Sequence, residues 1–434
     1  MILIERKQCA VLPCIQYKLM INKERITTHF NVIRTVSVIP GIPGINRLAF
    51  TDPDWQARAF LIARLESLGM KVREDSFGNV IARLEGKNPN APAIMVGSHT
   101  DSVPMGGHYD GLSGIVAANE ALQSIQEDGI ELDCPIEIVL FMCEESSRFG
   151  VATLGSQAMR GELTPEFLKE RTDKDGNTLY DVLKSRGLSP DLVGSDPYTS
   201  PLKAFFELHI EQGSVLEEAG CPLGIVTGIS APTRYKVSIH GTANHSGATP
   251  MPLRRDGLCA AAEIILDVEA TAKATNHPAV VATVGVIDAV PGVMNVIPGE
   301  VTLGIDIRSI SAEAKKQVVD HILNNIQHIA QKRDIVIDTY EMSKQTPLPI
   351  APEMLTFMEK VAVDNGYPYM LLPSGAGHDA MNWGDYTKVG MVFIPCKNGI
   401  SHNPAEHIDL DDIVLGARYL ESLLKAASSD SFQW

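Results

Sequence analysis

Short apolar runs and stretches of helical periodicity take turns along this chain. From Asp52 to Leu68 the apolar residues Trp55, Phe60, Leu61, Leu65 and Leu68 fall on one helical stripe, which Gly69 ends. Val72 to Leu84 alternates as a hairpin about Phe77-Gly78-Asn79. Ala93–Val96 predicts a short buried strand, Gly111–Ile125 a helix with small residues on one face, Ile136–Met142 a second buried strand and Ala204–His209 a third. Each of these strands runs into polar groups at its carboxyl end: His99 and Asp101, then Glu144 and Glu145, then His209. Strands alternating with helices, with polar groups gathered where the strands end, predict an α/β sheet whose site lies along that edge.

The middle of the chain changes character. Arg234–His240 alternates as a strand, Arg254–Ala272 is helical, Ala279–Ile287 and Val301–Ile307 are strands, Ser311–Ala330 is helical and Asp334–Tyr340 is a strand. That β-α-β-β-α-β order is the ferredoxin-like arrangement. A helix near Pro352–Asn365, an apolar strand Val389–Ile394 and a closing helix Leu410–Ala426 then resume the first pattern. The expected organisation is an N-terminal arm over residues 1–29 and an α/β domain with a mixed sheet over 30–227 and 342–434. A ferredoxin-like α+β domain over 228–341 interrupts it.

Composition narrows the function classes. The 434 residues are 44% apolar and 21% charged, as in an ordinary globular enzyme. A net charge of −16 argues against a nucleic-acid surface, which needs clustered Lys and Arg. No apolar run approaches the ~18–20 residues that cross a bilayer, and the first stretch of chain lacks the continuous apolar core of a signal peptide. Seven dispersed cysteines with no Cys-x-x-Cys suit a reducing compartment, so a cytoplasmic location is expected.

Candidate chemistry lies in five stretches. They are Gly97-Ser-His-Thr-Asp101, Gly106-Gly-His-Tyr-Asp-Gly111, Cys143-Glu-Glu-Ser146, Glu207-Leu-His-Ile-Glu-Gln-Gly213 and Gly399-Ile-Ser-His-Asn-Pro404. They offer His99, Asp110, Glu145, His209 and His402 as ligands. Nitrogen and carboxylate donors without cysteine suit zinc, manganese or nickel at a catalytic site. Five ligands and a spare carboxylate exceed the needs of one ion. They suit two ions sharing a bridging carboxylate, with Glu144 left as a base. Asp101, two residues past His99, is placed to orient that imidazole through its carboxylate. Taken alone, His209 reads as a core histidine and Glu144-Glu145 as solvated carboxylates. Arg308 has two readings, a structural ion pair with Asp306 or a guanidinium that forks a substrate carboxylate. A serine nucleophile elbow is absent from the sequence.

Eight stretches in order resemble the amidase branch of the M20 metallopeptidase family, which holds N-carbamoyl-L-amino acid hydrolases, allantoate amidohydrolases and β-ureidopropionases. They are Gly97-Ser-His-Thr-Asp-Ser-Val, Gly106-Gly-His-Tyr-Asp-Gly, Glu144-Glu-Ser-Ser-Arg-Phe, Leu208-His-Ile-Glu-Gln-Gly, His245-Ser-Gly-Ala-Thr-Pro-Met, Asn295-Val-Ile-Pro-Gly, Ser374-Gly-Ala-Gly-His-Asp-Ala and Gly399-Ile-Ser-His-Asn-Pro-Ala-Glu. The resemblance implies two divalent ions per subunit, zinc first, with manganese, cobalt or nickel as alternatives. Asp110 would bridge them, His99 and His209 would complete one site, and Glu145 and His402 the other, with Glu144 as general base. The inserted domain would be a lid and a homodimer contact, its His245, Asn295 and Arg308 reaching the partner's site. His245 would stabilise the oxyanion; Asn295 and Arg308 would hold the substrate carboxylate; Gln212, Ser374 and Gly375 would contact the ureido and carboxylate ends. The implied reaction is hydrolysis of the ureido C–N bond of an N-carbamoyl-L-amino acid to the amino acid, ammonia and carbon dioxide. Allantoate amidohydrolase, an M20 peptidase or aminoacylase, and a metal-free binding scaffold are the alternatives.

Overall fold

The computed structural model describes residues 21–275 and 279–429. The arm expected over 1–29 lies outside the described residues as far as residue 20. From Lys23 the chain is helical through Ser37, capped by the Asn22 side chain on the Arg25 amide. That helix is docked by Arg25, whose guanidinium donates to the fully buried carboxylate of Glu120 at 2.7 Å.

The chain divides into two compact units, one formed by residues up to Thr227 with Ile350–Leu372 and Gly377 onward, the other by Gly228–Pro349 with Pro373–Ala376. The second unit thus runs past the 341 boundary read from the sequence. Its last long strand extends to Lys344 through a bulge between Glu341 and Ser343, and Leu348-Pro349 still pairs with Ile229-Gly228. Within the first unit, Ile350 N donates to Thr227 O at 3.0 Å.

The first unit is built on a mixed sheet. Its strands are β1 (Lys71–Glu74), β2 (Val80–Leu84), β3 (Ala93–His99), β4 (Ile136–Phe141) and β5 (Leu202–Ile210), followed by Val389–Ile394. They lie in the order β1, β2, β4, β3, β5, Val389–Ile394. The β1–β2 and β2–β4 pairs are antiparallel; β3 is parallel to β4 and β5, and β5 to Val389–Ile394. Every residue of β3, β4 and Val389–Ile394 is buried, as expected for parallel strands covered on both faces. Because these strands are parallel, their carboxyl ends open at one edge. His99 closes β3, Glu144 and Glu145 follow β4, His209 sits at the end of β5, and the loop to His402 leaves the fourth strand. The helix Leu112–Glu127, buried along most of its length, starts directly after Asp110 and sets that carboxylate at a helix N-terminus.

The second unit is a four-stranded antiparallel sheet in the order Val336–Lys344, Ala231–His240, Glu300–Ser309, Val281–Val290. This is the ferredoxin-like order. The helices Gly257–Ala274 and Ala312–Arg333 share one core with it, in which Val237, Ile239, Leu303, Ile305, Ile264 and Ile322 are fully or almost fully buried. The first helix starts at Gly257 and not at Arg254 because the Asp256 side chain caps the amides of Leu258 and Cys259.

Candidate metal centre

Asp110 stands between two groups of ligand atoms. Its Oδ1 is 3.0 Å from His209 Nε2 and 3.8 Å from His99 Nε2. Its Oδ2 is 2.9 Å from His402 Nε2, which in turn is 3.1 Å from Glu145 Oε1. The donor atoms of His99, Asp110 and His209 lie within 4.8 Å of one another, as do those of Asp110, Glu145 and His402. The structure therefore brings all five sequence candidates together, in two clusters that share Asp110.

Main-chain carbonyls orient two of the imidazoles. His99 Nδ1 is 3.0 Å from the Asp101 carbonyl oxygen, and His209 Nδ1 is 2.9 Å from the Ile210 carbonyl oxygen. Donation of Nδ1–H to each carbonyl leaves Nε2 as the lone-pair nitrogen facing Asp110. The Gly111 N–H points at His209 Nε2 at 3.2 Å, as it does at an acceptor. Only glycine fits there. With φ +63°, a Cβ on Gly111 would meet the His99 ring at 2.4 Å.

The carboxylate of Asp101 lies beside the His99 ring, Oδ1 3.6 Å from Nδ1, and favours the protonated imidazole. Its two oxygens also accept the backbone N–H groups of Glu144 at 3.1 Å and Glu145 at 3.0 Å. The turn after β4, entered through Cys143 at φ +59°, presents both amides to it. Spacing of two along the chain could suggest the imidazole as partner but could not show which backbone would pass opposite.

Charge in the cluster is one-sided. Among the described residues no lysine or arginine pairs with Asp110, Glu144 or Glu145. Burial, with repulsion from Glu145 and Asp379, pushes Glu144 well above the usual carboxylate range, although His99 opposes this. Burial also raises Glu145. Asp110 is held well below its usual value, against burial, by the neighbouring imidazoles of His209 and His402. The bonds to Asp110 and Glu145 push His402 up to about 11. Imidazoles drawn toward the protonated form by three carboxylates mark a place where positive charge is wanted. Nitrogen and oxygen donors without thiolate suit a hard or borderline divalent cation. Glu144 is nearby but outside both clusters, with Oε2 3.8 Å from His99 Nε2.

Gln212, at φ +57°, turns its amide onto the second cluster: Nε2 is 3.1 Å from Asp110 Oδ2, 3.3 Å from Ser401 Oγ and 3.2 Å from His402 Nε2. The other sequence candidates belong to the second unit. His245 Nδ1 accepts the N–H groups of Gly247 at 3.0 Å and Ala248 at 3.1 Å, so its ring proton sits on Nε2, on an exposed side chain. Val296 pairs with His245, and the Asn295 carbonyl accepts the Ser246 N–H at 3.0 Å, which sets Asn295 beside the histidine loop. Arg308 makes the ion pair with Asp306, at 2.9 and 3.2 Å, and also donates to the Gly375 carbonyl at 3.2 Å. Arg234 donates to the same Asp306 carboxylate at 2.9 Å. Ser374 is buried with Oγ 2.9 Å from the Ala376 carbonyl, and Gly375 has open space where a Cβ would be.

Three buried groups around the cluster were not singled out by sequence. His378 packs edge-on against His209, ring centroids 4.5 Å apart. Glu207 accepts from Ser98 Oγ at 2.9 Å and from Ala380 N at 3.0 Å, and Asp379 from Ser156 Oγ at 2.5 Å. His378 and Asp379 lie in the Ser374-Gly-Ala-Gly-His-Asp stretch, so a signal existed without a role attached.

Residues 95–426 match Peptidase family M20/M25/M40. The chain belongs to this family. It is an enzyme, a hydrolase, and several of the solved structures it resembles are amidases of the hydantoinase/carbamoylase family. It is 40% identical over 402 residues to the N-carbamoyl-L-amino acid amidohydrolase of Geobacillus stearothermophilus, covering 92% of this chain and 97% of the relative. It is 36% identical over 390 residues to an allantoate deiminase of Arabidopsis thaliana, covering 83% and 74%. A crystal structure of an amidase of the hydantoinase/carbamoylase family from Burkholderia multivorans superposes with a TM-score of 0.88 at 32% identity, covering 95% of this chain and 99% of that one. In this M20 chain no described helix is long and apolar enough to cross a membrane.

Proposed function

We propose that this M20 hydrolase cleaves the ureido C–N bond of N-carbamoyl-L-amino acids with two divalent ions, giving the amino acid, ammonia and carbon dioxide. The observation that carries the reading is the bifacial placement of Asp110, one oxygen toward His209 and the other toward His402. A bound pair of divalent ions, zinc foremost, would supply Lewis-acid polarisation of the scissile carbonyl and lower the pKa of water to near neutral. His99, Asp110 and His209 would hold one ion; Asp110, Glu145 and His402 would hold the other.

The chain's own residues do the rest. Glu144, whose buried carboxyl has a raised proton affinity, takes the proton of the attacking water and returns it to the leaving nitrogen. His245 donates Nε2–H to the developing oxyanion; the two amides on its Nδ1 fix that tautomer. Asn295 and Arg308 hold the substrate α-carboxylate. Asp306 is shared by Arg234 and Arg308, so two guanidinium groups face one carboxylate and a second carboxylate can be accommodated. Gln212 and the Ser374-Gly375 loop contact the ureido group and the acid end.

The second unit acts as lid and dimer contact, and in a homodimer its His245, Asn295 and Arg308 complete the partner's site. Its outer strand supports this reading, because Val281, Val286, Ile287 and Val290 are each more than half exposed on the strand that, among the described residues, ends the sheet. Cys134, Cys143, Cys259 and Cys396 are free thiols, in keeping with a cytoplasmic enzyme.

The second reading is allantoate hydrolysis by the same chemistry, favoured by the allantoate deiminase relative. Ammonia release measured over a panel of N-carbamoyl-L-amino acids, allantoate and dipeptides decides between them. Turnover confined to dipeptides would overturn both.

A further inference from the structure

One buried carboxylate links the loops that carry Asp110 and His402. Glu406 is 5% exposed. Its Oε1 accepts the backbone N–H of Tyr109 at 2.8 Å and of Asp110 at 3.1 Å. Its Oε2 accepts Ser401 Oγ at 2.9 Å, and the same hydroxyl lies 3.4 Å from Asp110 Oδ2. Gly107 makes room for this contact: a Cβ there would come within 2.0 Å of the Glu406 carboxyl carbon.

The ligands differ in how firmly they are held. His99 and His209 are buried at strand ends with Nδ1 fixed by a carbonyl. His402 is half-exposed, sits at φ +54° and is followed by exposed Asn403, Pro404 and Ala405. Glu406 is the first buried residue after it and returns the loop to the interior. We infer that Glu406 is a positioning residue that sets His402 and Asp110 at their mutual distance and so governs occupancy of the second ion site, while the His99–Asp110–His209 site stands without it. The inference rests on the two-ion reading given above.

The test is ion uptake by the full chain. The protein is stripped with chelator and equilibrated with Zn2+ alone, and bound zinc is counted without any assay of activity. The wild type is expected to take up two ions. Glu406→Ala should keep one with wild-type affinity and bind the second about 10- to 100-fold more weakly, the usual cost of removing a ligand's hydrogen-bonding partner. Glu406→Gln keeps an oxygen for the two N–H groups and should recover most of that loss. Gly107→Ala leaves the carboxylate in the chain but displaces it, and should weaken the same single ion. This variant and the glutamine keep the test open if the alanine variant does not fold. Two ions bound by Glu406→Ala as tightly as by the wild type overturn the inference alone. So does parallel loss of both ions that glutamine fails to restore, since that marks a purely structural role. A wild type that takes up one ion or none overturns the two-ion reading and this inference with it.

Discussion

Asp101 fixes the backbone of Glu144: Oδ1 accepts its amide hydrogen at 3.1 Å while Oδ2 accepts that of the next residue. The base and the ligand beside it are thus held by one carboxylate, yet they should fail differently. Glu144→Gln is expected to retain both ions and lose roughly 10²- to 10⁴-fold in kcat, the range for general acid–base catalysis. Glu145→Gln should lose bound metal together with activity. Metal counting beside steady-state rates separates the two, and a near-normal rate for Glu144→Gln would remove it from the base role.

Arg308 is engaged with Asp306, and its two readings make opposite predictions. If it reads the substrate acid, Arg308→Ala should lower kcat/KM for an N-carbamoyl amino acid about 10- to 100-fold, since a charge-assisted hydrogen bond contributes ~1.5–3 kcal/mol. Lysine should rescue in part, having charge but no planar fork. The decisive comparison sets the acid against its carboxamide. A mutant that still prefers the acid as strongly as the wild type leaves Arg308 as a structural ion pair.

The exposed apolar residues of the second unit should be covered in solution. Val286 and Leu266 are 55% and 65% exposed, on the outer strand and the helix Gly257–Ala274. The double variant Val286→Lys, Leu266→Lys is expected to turn a dimer into a monomer by light scattering and to lose turnover while keeping its ions. A wild type that is already monomeric at micromolar concentration contradicts the dimer reading.

His29 provides a pH test of stability away from the ions. Burial, with the charges of Arg64 and Arg25, pushes it from 6.5 down to about 4. It packs edge-on to Phe60 at 5.6 Å. Below pH 6.5 the unfolded chain binds a proton that the folded chain refuses until pH falls to about 4, so stability present above 6.5 is lost as pH falls. The loss should be about 1 kcal/mol per pH unit. Denaturant unfolding of wild type and His29→Gln at pH 7, 6 and 5 should show the shallower decline in the variant. Parallel declines would show that His29 titrates normally.

Much of this was legible in the sequence because parallel strands gather their carboxyl ends at one edge. His99, Glu145 and His209 each follow an apolar run that announces a strand, so their convergence could be argued from pattern. Asp110 and His402 were legible through the small residues around them. What pattern could not supply is backbone direction in loops. Asp101 holds the Glu144–Glu145 turn as well as lying beside His99, and Glu406, four residues past His402 in a polar loop, reads as a solvated carboxylate until the Tyr109 amide is seen opposite it. Arg308 stayed ambiguous for a related reason: Asp306 two residues away is a strand-face neighbour in any alternating strand, whatever else the guanidinium touches.

The junction between the two units has a practical consequence. Gly228 and Ile229 are ladder partners of Pro349 and Leu348, and just outside them Ile350 donates to Thr227. The outgoing and returning chains are neighbours in one antiparallel rung, so removing everything between them leaves two ends that a short reverse turn can rejoin. The ferredoxin-like unit is, topologically, an enlarged hairpin loop. A shortened gene joining the two ends through Asn-Gly would encode the ligand-bearing unit as one uninterrupted polypeptide, small enough for its zinc uptake to be followed residue by residue in solution.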